Sequence, residues 1–319
     1  MKKKLIWFSF DPFQKDIKSQ AKALKITNLY AKAMSAVIQP VYFADRYRGT
    51  DAGSYLFPLF PTIEAITLSE LEEIVHEKWN NLARSLKIKS QPLRILTHKS
   101  SDVPSLDSKA RTLANEAKKA KVEFIAIQTK ASSGVKRLVM GSFAETFLLN
   151  SSVPTLLIPP ISYDLKKPKK MLYSSDLSAT SLLAFKKICP IIKDLKLKII
   201  LLYNLEIPQS LLQILKPSTR RLIDTAKLIE QARPDLEFKA KDFIDIAKTF
   251  GIAIKFEICA DASVTSKSEI ILKRADFYRI DCIALASQSG EAVTSILGAT
   301  SRSIVRTANR PVLIHRVEK

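Results

Sequence analysis

The stretch VMGSFAETFLLNSSVPTLLIPP, residues 139–160, nearly recurs as ILGATSRSIVRTANRPVLIHRV, residues 296–317. The two align without a gap, 157 positions apart. Gly141 falls on Gly298, Pro154 on Pro311, and apolar residues stay apolar around them. A chain that ends each half on the same phrase folds as one unit written twice. Its 319 residues are long for one core and suit two domains of about 150 residues.

Hydrophobic periodicity extends the repeat through both halves. Short apolar runs at 5–10, 39–44, 93–97, 122–127 and 153–158 read as strands. Helical spacing or caps predict helices over 16–36, from the capping box Thr67-Leu-Ser-Glu70 onward, 106–120 and 136–150. Residues 45–66, with Gly49, Gly53, Pro58 and Pro61, and residues 128–135 read as loops. The second half predicts strands at 171–174, 198–203, 252–258, 281–286 and 311–314. Its helices are expected over 178–195, kinked at Pro190, and over 238–250, 266–279 and 300–308. Residues 205–234 read as a helical insertion in two pieces divided at Pro217, and Gly251 as a helix terminator. Strict alternation of apolar strands with helices predicts parallel sheets covered on both faces. The fold class is therefore α/β: two tandem open five-stranded parallel sandwiches, domain 1 over 1–160, a basic linker over 161–170 and domain 2 over 171–319. Ligands in such sheets bind at the carboxyl ends of the strands, where the strand order reverses.

Composition narrows function. No apolar run approaches the roughly 18 residues of a membrane helix. The basic start MKKK meets Asp11 and Pro12 too soon for a signal peptide, so cytoplasmic residence is expected. Cys189, Cys259 and Cys282 lie in apolar segments, and the spacing of cysteines and histidines gives no metal site. The net charge is +20, shared as +10 per half, with a dense knot at Lys166, Lys167, Lys169 and Lys170. Such a surface attracts an acidic partner or nucleic acid, or is simply well solvated. No nucleophile is followed by a histidine-carboxylate pair and no Gly-Lys-Ser/Thr phosphate loop occurs, so no catalytic residues are assigned and no enzyme is expected.

At the strand ends, several features in register resemble the universal stress protein family. A strand ends in Asp and passes into a helix at FSFDPF (Asp11) and YSSDLSATS (Asp176). A fourth strand leads through a loop to a Gly-Ser or Gly-Ala-Thr helix start, at Gly141 and Gly298. The last strands carry VPTLLI and RPVLI. The match covers both halves, so the chain resembles a tandem, two-domain universal stress protein. The resemblance implies a flavodoxin-like or Rossmann-like fold. It implies pairing of the domains through strands 153–158 and 311–314 as an internal pseudo-dimer, with a further homodimer open. It also implies, in some members, binding of ATP or another adenine nucleotide.

The binding members carry Gly-x2-Gly-x9-Gly-Ser/Thr, whose glycines let backbone N–H groups approach phosphate. Its last pair opens a helix with an electropositive end. Counting back from Gly141 places the loop glycines on Gln128 and Ala131, with Ser142 kept. Counting back from Gly298 places them on Leu285 and Gln288, or, with one residue deleted, on Ala286 and Ser289. Ala299 stands in the Ser/Thr position, with Thr300 one place late. The candidate nucleotide-binding residues are Asp11, Val41, Lys130, Ala131, Gly141, Ser142, Asp176, Ser287, Gly298 and Thr300. The expectation is a stress-response binding protein with at most weak adenine-nucleotide binding, most plausibly in residues 1–160. The alternative is a scaffold that binds no nucleotide and docks acidic protein or nucleic acid.

Overall fold

The structure is a computed structural model and describes residues 3–44, 68–97, 105–131, 138–139, 142–160, 167–207, 223–261, 266–287 and 298–317. The first half runs β1 (Lys4–Ser9), α1 (Ile17–Ala33), β2 (Ala36–Ala44), α2 (Leu68–Ser85), β3 (Arg94–Thr97), α3 (Leu106–Lys119) and β4 (Phe124–Gln128). It continues with the short strands β5 (Lys130–Ala131) and β6 (Leu138–Val139), then α4 (Ser142–Asn150) and β7 (Thr155–Ile158). The second half runs β8 (Lys170–Ser175), α5 (Ala179–Leu195), β9 (Lys198–Asn204), α6 (Thr225–Thr249), β10 (Ile254–Cys259), α7 (Lys267–Phe277), β11 (Cys282–Ala286), α8 (Ala299–Thr307) and β12 (Val312–His315).

The long strands form one ten-stranded sheet in the order β10-β9-β8-β11-β12-β7-β4-β1-β2-β3. Every neighbouring pair is parallel except β12 and β7, which are antiparallel and join the halves. Leu156 pairs with Leu313, its own repeat partner, while Leu157 pairs with Val312 and Thr155 with Ile314. A pseudo-two-fold axis therefore passes between Leu156 and Leu313. The expected pairing through the last strands is present, and it turns two five-stranded sheets into one.

Helices cover both faces. Leu24 of α1, Trp79 of α2, Phe185 of α5 and Phe243 of α6 belong to one buried cluster. Leu113 of α3, Phe147 of α4, Ile271 of α7 and Ile304 of α8 belong to the other. Each cluster draws on both halves, because the sheet beneath it is continuous. Side-chain contacts reinforce the seam. Glu145 of α4 forms ion pairs with Arg302 at 2.9 Å and Arg306 at 3.7 Å, both on α8. Lys4 pairs with Asp194, and the Cys282 thiol lies beside the Tyr30 hydroxyl.

Local chemistry sets the helix ends. Asp16, Ser105, Ser178 and Asp224 each cap a helix by accepting the N–H three residues on. Gly251, at φ +68°, closes α6 as expected. Thr67 of the capping box, the loop 45–66 and Pro217 lie outside the described residues, as does half of the expected 205–234 insertion, residues 208–222.

Three expectations need correction. α6 is one helix from Thr225 and runs through Pro234. Pro234 is exposed, so the carbonyl it leaves without a donor faces water, where the lost bond costs least. The exposed Pro190 lies inside α5, which spans nearly the expected 178–195. Residues 136–150 are not one helix: Leu138–Val139 pair antiparallel with Lys130–Ala131, and α4 starts only at Ser142. The β-branched and long residues of VKRLVM satisfy a strand as readily as a helix. Finally, Lys170 already belongs to β8, and Asp281 accepts the N–H groups of both Lys169 and Lys170, so this end of the basic knot is tied to domain 2.

Candidate functional site

In each half the strand order reverses at the carboxyl ends of its first and fourth strands: β1 and β4, then β8 and β11. These are the two places where a ligand cleft is expected.

In the first half Asp11 follows β1. It does not cap α1; its Oδ1 accepts from Phe13 N at 3.1 Å and closes a turn, while Asp16 caps the helix. Its carbonyl is held by Gln20 Nε2 at 3.0 Å. Val41 is buried in the core and its carbonyl accepts from Phe10 N at 2.9 Å. Lys130 and Ala131 lie in β5 and Ser142 opens α4, whereas Gly141 lies outside the described residues. Gln128, at the end of β4, donates through Nε2 to Ser19 Oγ on α1, while its Oε1 is buried with no partner among the described residues. The Gln128 side chain thus bridges the reversal point.

In the second half β8 ends in Ser174 and Ser175, and Asp176 follows it. Asp176 Oδ1 accepts from Ser178 N at 3.1 Å and Ser178 Oγ at 2.7 Å. Leu177 sits in the left-handed region at φ 59°, rare for a branched side chain, and its N–H is held by Ser175 Oγ at 2.9 Å. Behind the turn, Ser175 Oγ and Ser181 Oγ lie 2.8 Å apart, and Tyr173 Oη donates to the Ser181 carbonyl at 2.7 Å. A small cleft of about 100 Å³ opens over this hydroxyl network. Asp176, Tyr203, Asn204, Ala286, Thr300 and Ser301 line it. Lys267 and Glu206 pair at its mouth, so the cleft's cation is already neutralised. Burial, with Glu206 adding, holds the Tyr203 hydroxyl above its ordinary range and therefore protonated.

Ser287 and Gly298 lie close in sequence to the lining residues Ala286 and Thr300 without lining the cleft themselves. Ser287 N donates to His315 O at 2.9 Å and its carbonyl accepts from Gly298 N at 3.1 Å. Gly298 is the N-cap of α8 and no side chain caps that helix. A Cβ at Gly298 would lie 3.5 Å from Ser287 O, an ordinary contact, and its φ is negative. Neither space nor conformation demands glycine there.

The strand registers align the halves residue by residue. Ile125 pairs with Thr155, and Ile283 with Val312, the repeat partner of Thr155. Gln128 therefore corresponds to Ala286, which selects the alignment with one residue deleted. Ser19 and Ser181 also correspond: each is the third residue of its helix, with its N–H on the cap. The same serine thus faces Gln128 in one half and Ala286 in the other. Sequence reading missed the Gln128–Ser19 bridge and the Glu206–Lys267 pair, since both join residues far apart in the chain. The serine run 174, 175, 178 and 181 was the visible trace of the hydroxyl network.

The three cysteines are buried, as expected. Burial pushes the Cys189 and Cys282 thiols up to about 12 and Cys259 to about 11, so all stay protonated and unreactive near neutrality. Among the described residues no helix is long and apolar enough to cross a membrane.

No protein-family model matches the chain, and no curated protein matches it. Solved structures do. A universal stress protein from Archaeoglobus fulgidus DSM 4304 superposes with a TM-score of 0.64 at 17% identity, covering 99% of each chain. A protein of unknown function from Pseudomonas aeruginosa PAO1 superposes with a TM-score of 0.54 at 13% identity, over 98% of this chain and 92% of its own. Across its whole length, this chain has the fold of a tandem universal stress protein.

Proposed function

We propose that the chain works as a tandem universal stress protein: a non-catalytic stress-response binding protein with at most weak affinity for adenine nucleotide. One observation carries the reading. Where the strand order reverses, neither half has the phosphate-loop glycine; Gln128 bridges to Ser19 in the first, and only Ala286 stands open over Ser181 in the second. The second half is therefore the better candidate, reversing the preference drawn from the loop sequences. Its cleft offers Asp176, Asn204 and hydroxyls to a ribose or base, and the uncapped N-terminus of α8 to a phosphate. It is smaller than the ~300 Å³ at which small-molecule sites usually begin, and its Lys267 is neutralised, so affinity is weak. Adenine nucleotide released from the purified, denatured chain, together with calorimetric titration, tests this. Weak saturable ATP binding supports it; silence at millimolar ATP overturns the nucleotide part.

The net charge of +20 favours a second reading, a scaffold for an acidic protein or nucleic acid. Its affinity for a nucleic acid must fall steeply with added salt; a flat salt response removes it.

A further inference from the structure

The pseudo-two-fold axis creates two equivalent places at the ends of the β7–β12 seam, and they are not built alike. Where the amino end of β7 meets the carboxyl end of β12, a groove of about 690 Å³ opens between the halves. That size falls within the ~300–1,000 Å³ of small-molecule sites. Its walls are apolar: Val153, Pro154, Leu183, Pro190 and Ile191. Leu183 remains 52% exposed there, an uncovered large apolar side chain. The rim is basic, with Lys118, Lys121, Lys187 and Arg316 against the single carboxylate Glu123. Arg316 Nε is buried with no hydrogen-bond partner among the described residues. Burial holds the Glu123 carboxyl above its ordinary range, toward the neutral form.

The opposite end supplies the control. There Arg310 replaces Val153, and its guanidinium fills the space. It is 5% exposed and donates to Ala275 O at 2.9 Å, to Ile280 O at 2.8 Å and to Asp276. Asp276 stands where the first end has Lys118, and Pro159 where it has Arg316. One end is thus plugged and internally neutralised, whereas the other is open, apolar inside and cationic at the rim.

We propose that the open end binds one free anionic amphiphile, a carboxylate or phosphate head on an apolar chain. The chain would cover Leu183 and Ile191, and the head would meet Arg316 and Lys187. The groove lies between the halves and holds a single chain, so it takes the monomeric amphiphile rather than a bilayer surface.

Calorimetric titration of the full chain with octyl, nonyl and decyl phosphate, each below its micelle-forming concentration, tests the proposal. One ligand should bind per chain, with affinity rising about fourfold per methylene. Lys187→Glu and Arg316→Glu should each weaken decyl phosphate about tenfold or more. Arg279→Glu, the same charge change at the plugged end, should leave it unchanged. Leu183→Gln, on an exposed side chain that folding does not need, should flatten the dependence on chain length. The proposal fails if binding does not saturate at one per chain or if inorganic phosphate binds as well as decyl phosphate. It fails equally if Arg279→Glu weakens binding as much as Lys187→Glu, or if the chain binds only anionic vesicles.

Discussion

The two halves agree where they touch each other and disagree where the strand order of each reverses. At the seam, Leu156 and Leu313 are repeat partners and pair directly, fully buried. At the strand-order reversal, Gln128 bridges to Ser19 in one half, while Ala286 leaves Ser181 facing a cleft in the other. A shared sheet constrains both copies of the seam at once, because each supplies the other's hydrogen bonds and core. A cleft is constrained only by what it holds, so its two copies can differ without cost to the fold.

The largest expected effect falls on the shared part. Leu156→Ala and Leu313→Ala should each lower unfolding stability by about 2–5 kcal/mol in urea titrations. The two losses should be alike, since the residues face each other across the pseudo-axis. A loss confined to one variant would show that the seam is not shared equally. The next effect separates the halves, because all three cysteines lie in the second. Their folded pKa values, about 11 to 12, exceed the unfolded value of ~8.5. The folded state therefore holds more protons in alkaline solution, and stability must fall as pH rises above about 8.5 toward the folded values. Alkaline melts of the wild type, compared with a triple Cys→Ala variant, should show the slope flattened in the variant.

Smaller effects follow at the contacts between halves and at the clefts. Glu145→Gln removes the negative charge that Arg302 and Arg306 share, and should cost about 1 kcal/mol, less in high salt. Gly298→Ser supplies the cap that α8 lacks and should raise stability by only a few tenths of a kcal/mol. The same hydroxyl would occupy N–H groups offered to phosphate, so the small gain in melting temperature should accompany weaker nucleotide binding.

The fold was legible in the sequence because its signals are local or periodic. Apolar strands alternating with helices gave the layers, the ungapped repeat of 139–160 at 296–317 gave the duplication, and the family resemblance implied the pairing of the last strands. What misled was backbone behaviour that tertiary context decides. Pro234 sits on an exposed helix face and is tolerated, and Leu138–Val139 pair with Lys130–Ala131 rather than extending α4. The site was half legible. Asp11, Asp176 and Ser287 follow the ends of β1, β8 and β11, and Gly298 and Thr300 open α8, where the sequence placed them. The role of Gln128, which the sequence left unassigned, depends on Ser19, over a hundred residues away. Loop spacing ranked the first half above the second because it counted missing glycines; on the proposed reading the side chain that replaced each glycine decides instead, since Gln128 bridges to Ser19 and Ala286 lines an open cleft.

Calorimetric titration of ATP into the wild type, Ala286→Gln and Gln128→Ala tests that contrast most directly. Wild type should bind weakly, with a Kd of roughly 0.1 mM or above. Ala286→Gln, which copies the first half's bridge into the second, should abolish binding while leaving the melting temperature nearly unchanged. Gln128→Ala loses the Ser19 bond but also an orphaned buried acceptor, so it should fold normally and keep or gain affinity. Binding that survives Ala286→Gln and disappears in Asp11→Ala would place the nucleotide in the first half and contradict the account.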